Sequence, residues 1–82
     1  MAAVFEINNA RRPVTRLRVA RVRTGLNLRQ FARDYGLSEA RLCKVERGIE
    51  YIPPAWREVL AKALGVSVQD LIDERGFPKL DA

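Results

Sequence analysis

Each of the five glycines in this chain is followed by an apolar residue: Gly25-Leu26, Gly36-Leu37, Gly48-Ile49, Gly65-Val66 and Gly76-Phe77. A glycine just past a helix takes the left-handed conformation that other residues resist, and the apolar residue after it folds back onto the last turn. Five such pairs in 82 residues divide the chain into short helices. Start signals agree with that division. Thr15, Asn27, Ser38 and Ser67 are N-cap residue types, Gln30 stands where a capping box with Asn27 needs it, and Pro54 suits a first helical turn. The spacing predicts helices over about 15–24, 28–35, 39–47, 54–64 and 68–75. Only Val4-Phe5-Glu6-Ile7 alternates as a short strand would.

Apolar residues recur at helical spacing within these segments. Leu28, Phe31, Ala32 and Tyr35 form one stripe, Trp56, Leu60 and Leu64 another, and Val68, Leu71 and Ile72 a third, while Leu42 and Val45 lie inside the middle helix. Such stripes can share one core. A chain of this length makes one small all-α domain, here expected over 15–75, with an N-terminal arm over 1–14 and a C-terminal tail over 76–82.

Composition narrows the chemistry. There is no His and a single Cys, so an intrachain disulfide scaffold and a Cys-rich zinc site are excluded. No carboxylate pair, nucleophile–base pair or phosphate loop stands out. The expectation is a protein that is not an enzyme, with no metal, no cofactor and no membrane span. Nothing at the N-terminus resembles a signal peptide, and the expected location is the cytoplasm. The charge is uneven. Residues 1–33 carry eight Arg against one Glu, whereas residues 34–82 carry seven basic and nine acidic side chains. Arg makes bidentate contacts to phosphate and guanine, so an Arg-loaded half suggests a polyanionic partner.

Only Gly36, Leu37 and Ser38 separate the second and third predicted helices. So short a connection holds two helices at a steep angle, as in a helix-turn-helix. Ala32 is small where those helices must approach, and Leu37, Leu42 and Val45 can anchor the third. Its other face carries Glu39, Ala40, Arg41, Cys43, Lys44 and Arg47. A helix with such a polar outer face can lie in the major groove.

The ordered set Leu17-x-x-x-Arg21, Gly25-Leu26-Asn27, Phe31-Ala32, Gly36-Leu37-Ser38, Leu42, Val45-Glu46-Arg47-Gly48 and Leu64-Gly65-Val66-Ser67-Val68-x-x-Leu71 resembles the phage Cro and repressor family of helix-turn-helix DNA-binding domains, the XRE-type regulators. The resemblance covers roughly residues 15–75. It implies a five-helix, lambda-repressor-like DNA-binding domain with a short N-terminal arm. It implies a structural pair between Arg21 and Glu46, and base reading by Glu39, Ala40, Arg41 and Lys44. Phosphates would be met by Arg47, the amide of Gly48, and Asn27 or Arg29. The last two would serve because Leu28 stands where many members carry a phosphate-holding Gln.

Outside the motif, Arg11, Arg12, Arg16 and Arg18 form a basic stretch suited to phosphates or a minor groove. Tyr51, Ile52, Trp56 and Phe77 are candidates for a dimer contact, since aromatics concentrate at interfaces. The expected function is a sequence-specific transcriptional regulator, a repressor or autoregulator, binding a near-palindromic double-stranded DNA operator as a homodimer. The alternative is a protein-interaction module, antitoxin-like or anti-activator, on the same scaffold. Leu28 and the acidic Glu39 motivate that alternative.

Overall fold

The computed structural model describes residues 14–81. Five helices follow in order: α1 (Arg16–Arg23), α2 (Leu28–Asp34), α3 (Glu39–Glu46), α4 (Pro54–Leu64) and α5 (Val68–Leu71). The fold is a small all-α domain containing a helix-turn-helix. The caps stand where the sequence places them. Thr15, Asn27, Ser38 and Ser67 each accept an amide hydrogen bond from the first turn that follows, and Pro54 opens α4. The capping box is complete: Gln30 N–H donates to Asn27 Oδ1 at 2.8 Å, and Asn27 N–H donates to Gln30 Oε1 at 3.0 Å.

The turn between α2 and α3 depends on Gly36, whose φ of +67° is costly for a residue with a Cβ. Leu37 then donates its amide to Ala32 O at 2.8 Å, and its side chain packs against the core. That core is built from Leu17 of α1, Phe31 and Ala32 of α2, Leu42 and Val45 of α3, Ile52 of the following loop, Leu60 and Ala61 of α4, and Leu71 of α5. Every helix therefore contributes to one interior. Leu28, Trp56, Leu64, Val68 and Ile72 are only partly buried against it. Tyr35 stays at the edge of its stripe, with its ring centroid 4.8 Å from that of Phe31.

The fifth helix is shorter than its spacing predicts. It stops at Leu71, and Ile72 is extended (φ −115°, ψ 151°) and bridged to Pro78. Asp73 explains the stop: its Oδ1 accepts from the amides of Arg75 at 2.8 Å and Phe77 at 3.0 Å. A side chain that satisfies nearby amides offers the backbone an alternative to the helix. Gly76 thus closes a loop, not a helix, and its carbonyl accepts from the Ile52 amide at 2.8 Å. The chain then returns to α1. Leu80 bridges Thr15, Arg16 N–H donates to Lys79 O at 2.8 Å, and Asp81 N–H donates to Val14 O at 2.7 Å.

Candidate nucleic-acid interface

α3 has two faces with opposite duties. On the inner face Leu42 and Val45 have no exposed surface, and Glu46 is also buried, at 4 % exposure. A buried carboxylate is costly unless paired and hydrogen-bonded. Arg21 provides both, with Nε donating to Oε2 at 2.6 Å and Nη2 to Oε1 at 3.1 Å. Its Nη1 donates to Leu26 O at 2.9 Å, which ties the α1–α2 connection into the same network. Thr15 adds a main-chain tie. Its buried hydroxyl donates to Glu46 O at 2.7 Å while accepting from the Arg18 amide at 3.2 Å. The last turn of α3 is thereby fastened to α1 through both side chain and backbone.

Gly48 completes that end at φ +77°. Its amide donates to Val45 O and that of Ile49 to Lys44 O, both at 3.0 Å. The Gly48 amide, expected to meet a DNA phosphate, is thus already committed to closing the helix. Asn27 is constrained in the same way. Its backbone N–H is held by Gln30, so its side-chain NH₂ is the donor it has left.

On the outer face Glu39, Ala40, Arg41 and Lys44 are exposed, as is the capping residue Arg47. Cys43, expected to face outward, is half-buried. It lines a shallow cleft between α1, α2 and α3 together with Arg18, Arg21, Leu28, Glu46 and Arg47. Arg18 and Arg47 are therefore brought to one rim, with Leu28 at the cleft and exposed Arg29 next to it at the start of α2.

Arg16 does not join them. Its Nη1 donates to Asp70 O at 3.3 Å, and it lines a separate groove with Arg23, Asp70 and Asp81. Two residues of helix are 200° of rotation, which sends Arg16 and Arg18 to opposite sides of α1. Arg11 and Arg12, with the Val4–Ile7 segment, lie outside the described residues.

Glu50, absent from the expected site, and Tyr51, expected only at a dimer contact, stand beside it. Glu50 Oε2 lies 3.3 Å from Arg41 Nε, and its Oε1 lies 4.0 Å from Lys44 Nζ. The Arg41 guanidinium also sits 5.7 Å from the centre of the Tyr51 ring, within reach of a cation–π contact. Glu50 is nine positions beyond Arg41, past the reach of any helical neighbour rule, so no local signal marks it.

The expected dimer residues divide as well. Ile52 is fully buried in the core, which corrects its expected place at an interface. Trp56 is half-buried against the same core. Phe77 is covered by the Arg75 guanidinium, 4.7 Å from its ring centre. Tyr51 remains exposed.

A family model described as a helix-turn-helix domain matches residues 14–74. The chain belongs to that family, and membership points to a DNA-binding regulator. No curated protein and no solved structure matches the chain. Among the described residues no helix is long and apolar enough to cross a membrane, and no three His, Cys, Asp or Glu side chains gather as metal ligands.

Proposed function

We propose that the protein is a sequence-specific transcriptional regulator of the XRE type, a repressor or autoregulator, acting in a bacterial or phage cytoplasm. As a homodimer it binds a near-palindromic double-stranded DNA operator, with α3 and its capping residue, 39–47, as the recognition helix. One observation carries this reading. The inner face of α3 is locked by Arg21, Thr15 and the core, while its outer face leaves Ala40, Arg41, Lys44 and Arg47 exposed.

In this arrangement Arg41 or Lys44 donates to guanine O6 and N7, Glu39 accepts from a cytosine amino group, and Ala40 meets a thymine methyl. Arg18, Arg29 and Arg47 hold phosphates, with Arg11 and Arg12 adding charge from the arm. Asn27 contributes only through its side-chain NH₂. Two copies place their recognition helices about one DNA turn apart, roughly 34 Å. Tyr51, Trp56 and the Phe77 loop are the candidate contacts between them.

Selection of bound sequences from random duplex DNA, at two salt concentrations, tests this. The expected result is an inverted pair of half-sites, with affinity falling as salt rises by a logarithmic slope of about −0.9 per phosphate contact. A protein that shows no salt-sensitive DNA binding is not this regulator. The second reading, a protein-interaction module, is favoured by exposed Glu39 at the tip of α3 and by Leu28 in place of a polar phosphate ligand. It predicts that same absence of DNA binding.

A further inference from the structure

We infer that Glu50 is a positioning residue that sets the base specificity of Arg41. The inference rests on the reading of α3 as the recognition helix. Arg41 is restrained twice. The Glu50 carboxylate lies against its Nε edge at 3.3 Å, and the Tyr51 ring stands 5.7 Å from its Cζ. Both come from the loop after α3. That loop is anchored by fully buried Ile52, whose amide donates to Gly76 O and whose carbonyl accepts from Arg57 Nε at 3.1 Å. A restraint built on an anchored loop holds a long side chain in place without burying it.

The consequence is geometric. A guanidinium has five N–H donors in a fixed fork. With the carboxylate against Nε, the two Nη groups form the free end, and they are spaced for O6 and N7 of one guanine. An unrestrained Arg sweeps many rotamers and can settle on a phosphate instead, which binds every sequence alike. Glu50 also opposes phosphate, because a carboxylate repels it. It therefore exchanges general affinity for selectivity. Lys44 Nζ, at 4.0 Å from the other carboxylate oxygen, shares the same counter-charge at longer range.

The test uses the full chain in four forms: parent, R41A, E50Q and the double variant R41A/E50Q. Gln keeps the size of the side chain and removes only its charge, and a melting curve confirms that each variant is folded. Sequence selection from random DNA is run on each, alongside affinity for one unrelated duplex. R41A flattens the preference at one base pair per half-site and so identifies the position that Arg41 reads. E50Q is expected to lower discrimination at that same position about fivefold, equivalent to about 1 kcal/mol at 1.4 kcal/mol per tenfold. Its affinity for the unrelated duplex is expected to rise. In the R41A background E50Q changes nothing further at that position, since the partner it positions is gone. A uniform change at all positions, a change at a position R41A leaves intact, or no change overturns the role of Glu50 alone. A parent protein that selects no sequence overturns the recognition-helix reading, and this inference with it.

Discussion

α3 carries an ion pair at each of its faces, and the two behave as opposites. Arg21–Glu46 on the inner face is short, bidentate and almost wholly removed from water, with side chains 11 % and 4 % exposed. Arg41–Glu50 on the outer face is longer, at 3.3 Å, and its side chains are 43 % and 33 % exposed. The inner pair exchanges hydration for fixed geometry. Its partners are over-determined by the Leu26 carbonyl and the core, so it specifies where α3 sits. The outer pair is screened by solvent and adds little to folding. It stays available to respond when a polyanion arrives. One chemistry thus supports structure at one face and recognition at the other, and burial decides which.

The largest effect is expected from R21A. It leaves the Glu46 carboxylate buried and unpaired, which should cost about 3–5 kcal/mol in denaturant unfolding. The double variant R21M/E46L should recover most of that, because apolar side chains of similar volume remove the desolvation penalty as well. If R21A retained parent stability, the inner pair would not be a structural lock.

Substitution on the outer face should show the reverse pattern. K44A is expected to cost about 1–3 kcal/mol in binding one preferred sequence and to relax one position per half-site. Its unfolding free energy should stay within about 0.5 kcal/mol of the parent. Unchanged base preference would remove Lys44 from the reading set.

T15A probes the main-chain tie beneath the inner pair and should destabilise by about 1–2 kcal/mol, with T15S close to the parent because its hydroxyl is kept. An equal loss in both variants would assign the effect to the lost methyl group and not to the hydrogen bonds.

The smallest effect belongs to Asp73, in the loop after α5. Partial desolvation pushes its carboxyl up, but the amides of Phe77 and Arg75 and the Arg75 guanidinium outweigh it and lower the pKa from 3.8. A lowered folded pKa stabilises at pH values above the unfolded pKa, and that stability is lost as pH falls through the folded one. The melting-temperature gap between parent and D73N should therefore narrow as pH is taken from about 5 to below the unfolded carboxylate range. A gap that is constant across that range would show that Asp73 has no linkage to folding.

Much of the fold was legible in residues a few positions apart. Four side-chain caps, the Asn27–Gln30 capping box, the Gly36 turn and Pro54 at the start of α4 are all local chemistry, and each stands where the sequence puts it. Arg16 and Arg18 read as one basic stretch in the sequence, although helical rotation alone separates them. Gly76 misled because a glycine at positive φ serves a loop as well as a helix end, and only Asp73 beside it tips the choice.

Residue types a few positions apart were enough to specify five short helices, a short glycine turn between the second and third, and a polar face on the third. Those outcomes follow from hydrogen bonds and side-chain contacts within one or two turns of backbone, which local residue types decide. Packing settled what residue types a few positions apart could not: that Glu50 reaches Arg41, that Ile52 lies in the core, and that residues 79–81 return to the start of α1. Each of these depends on the path of a loop after packing. A loop's course is set by which apolar residue the core accepts, and that is a property of the whole interior and not of any short segment.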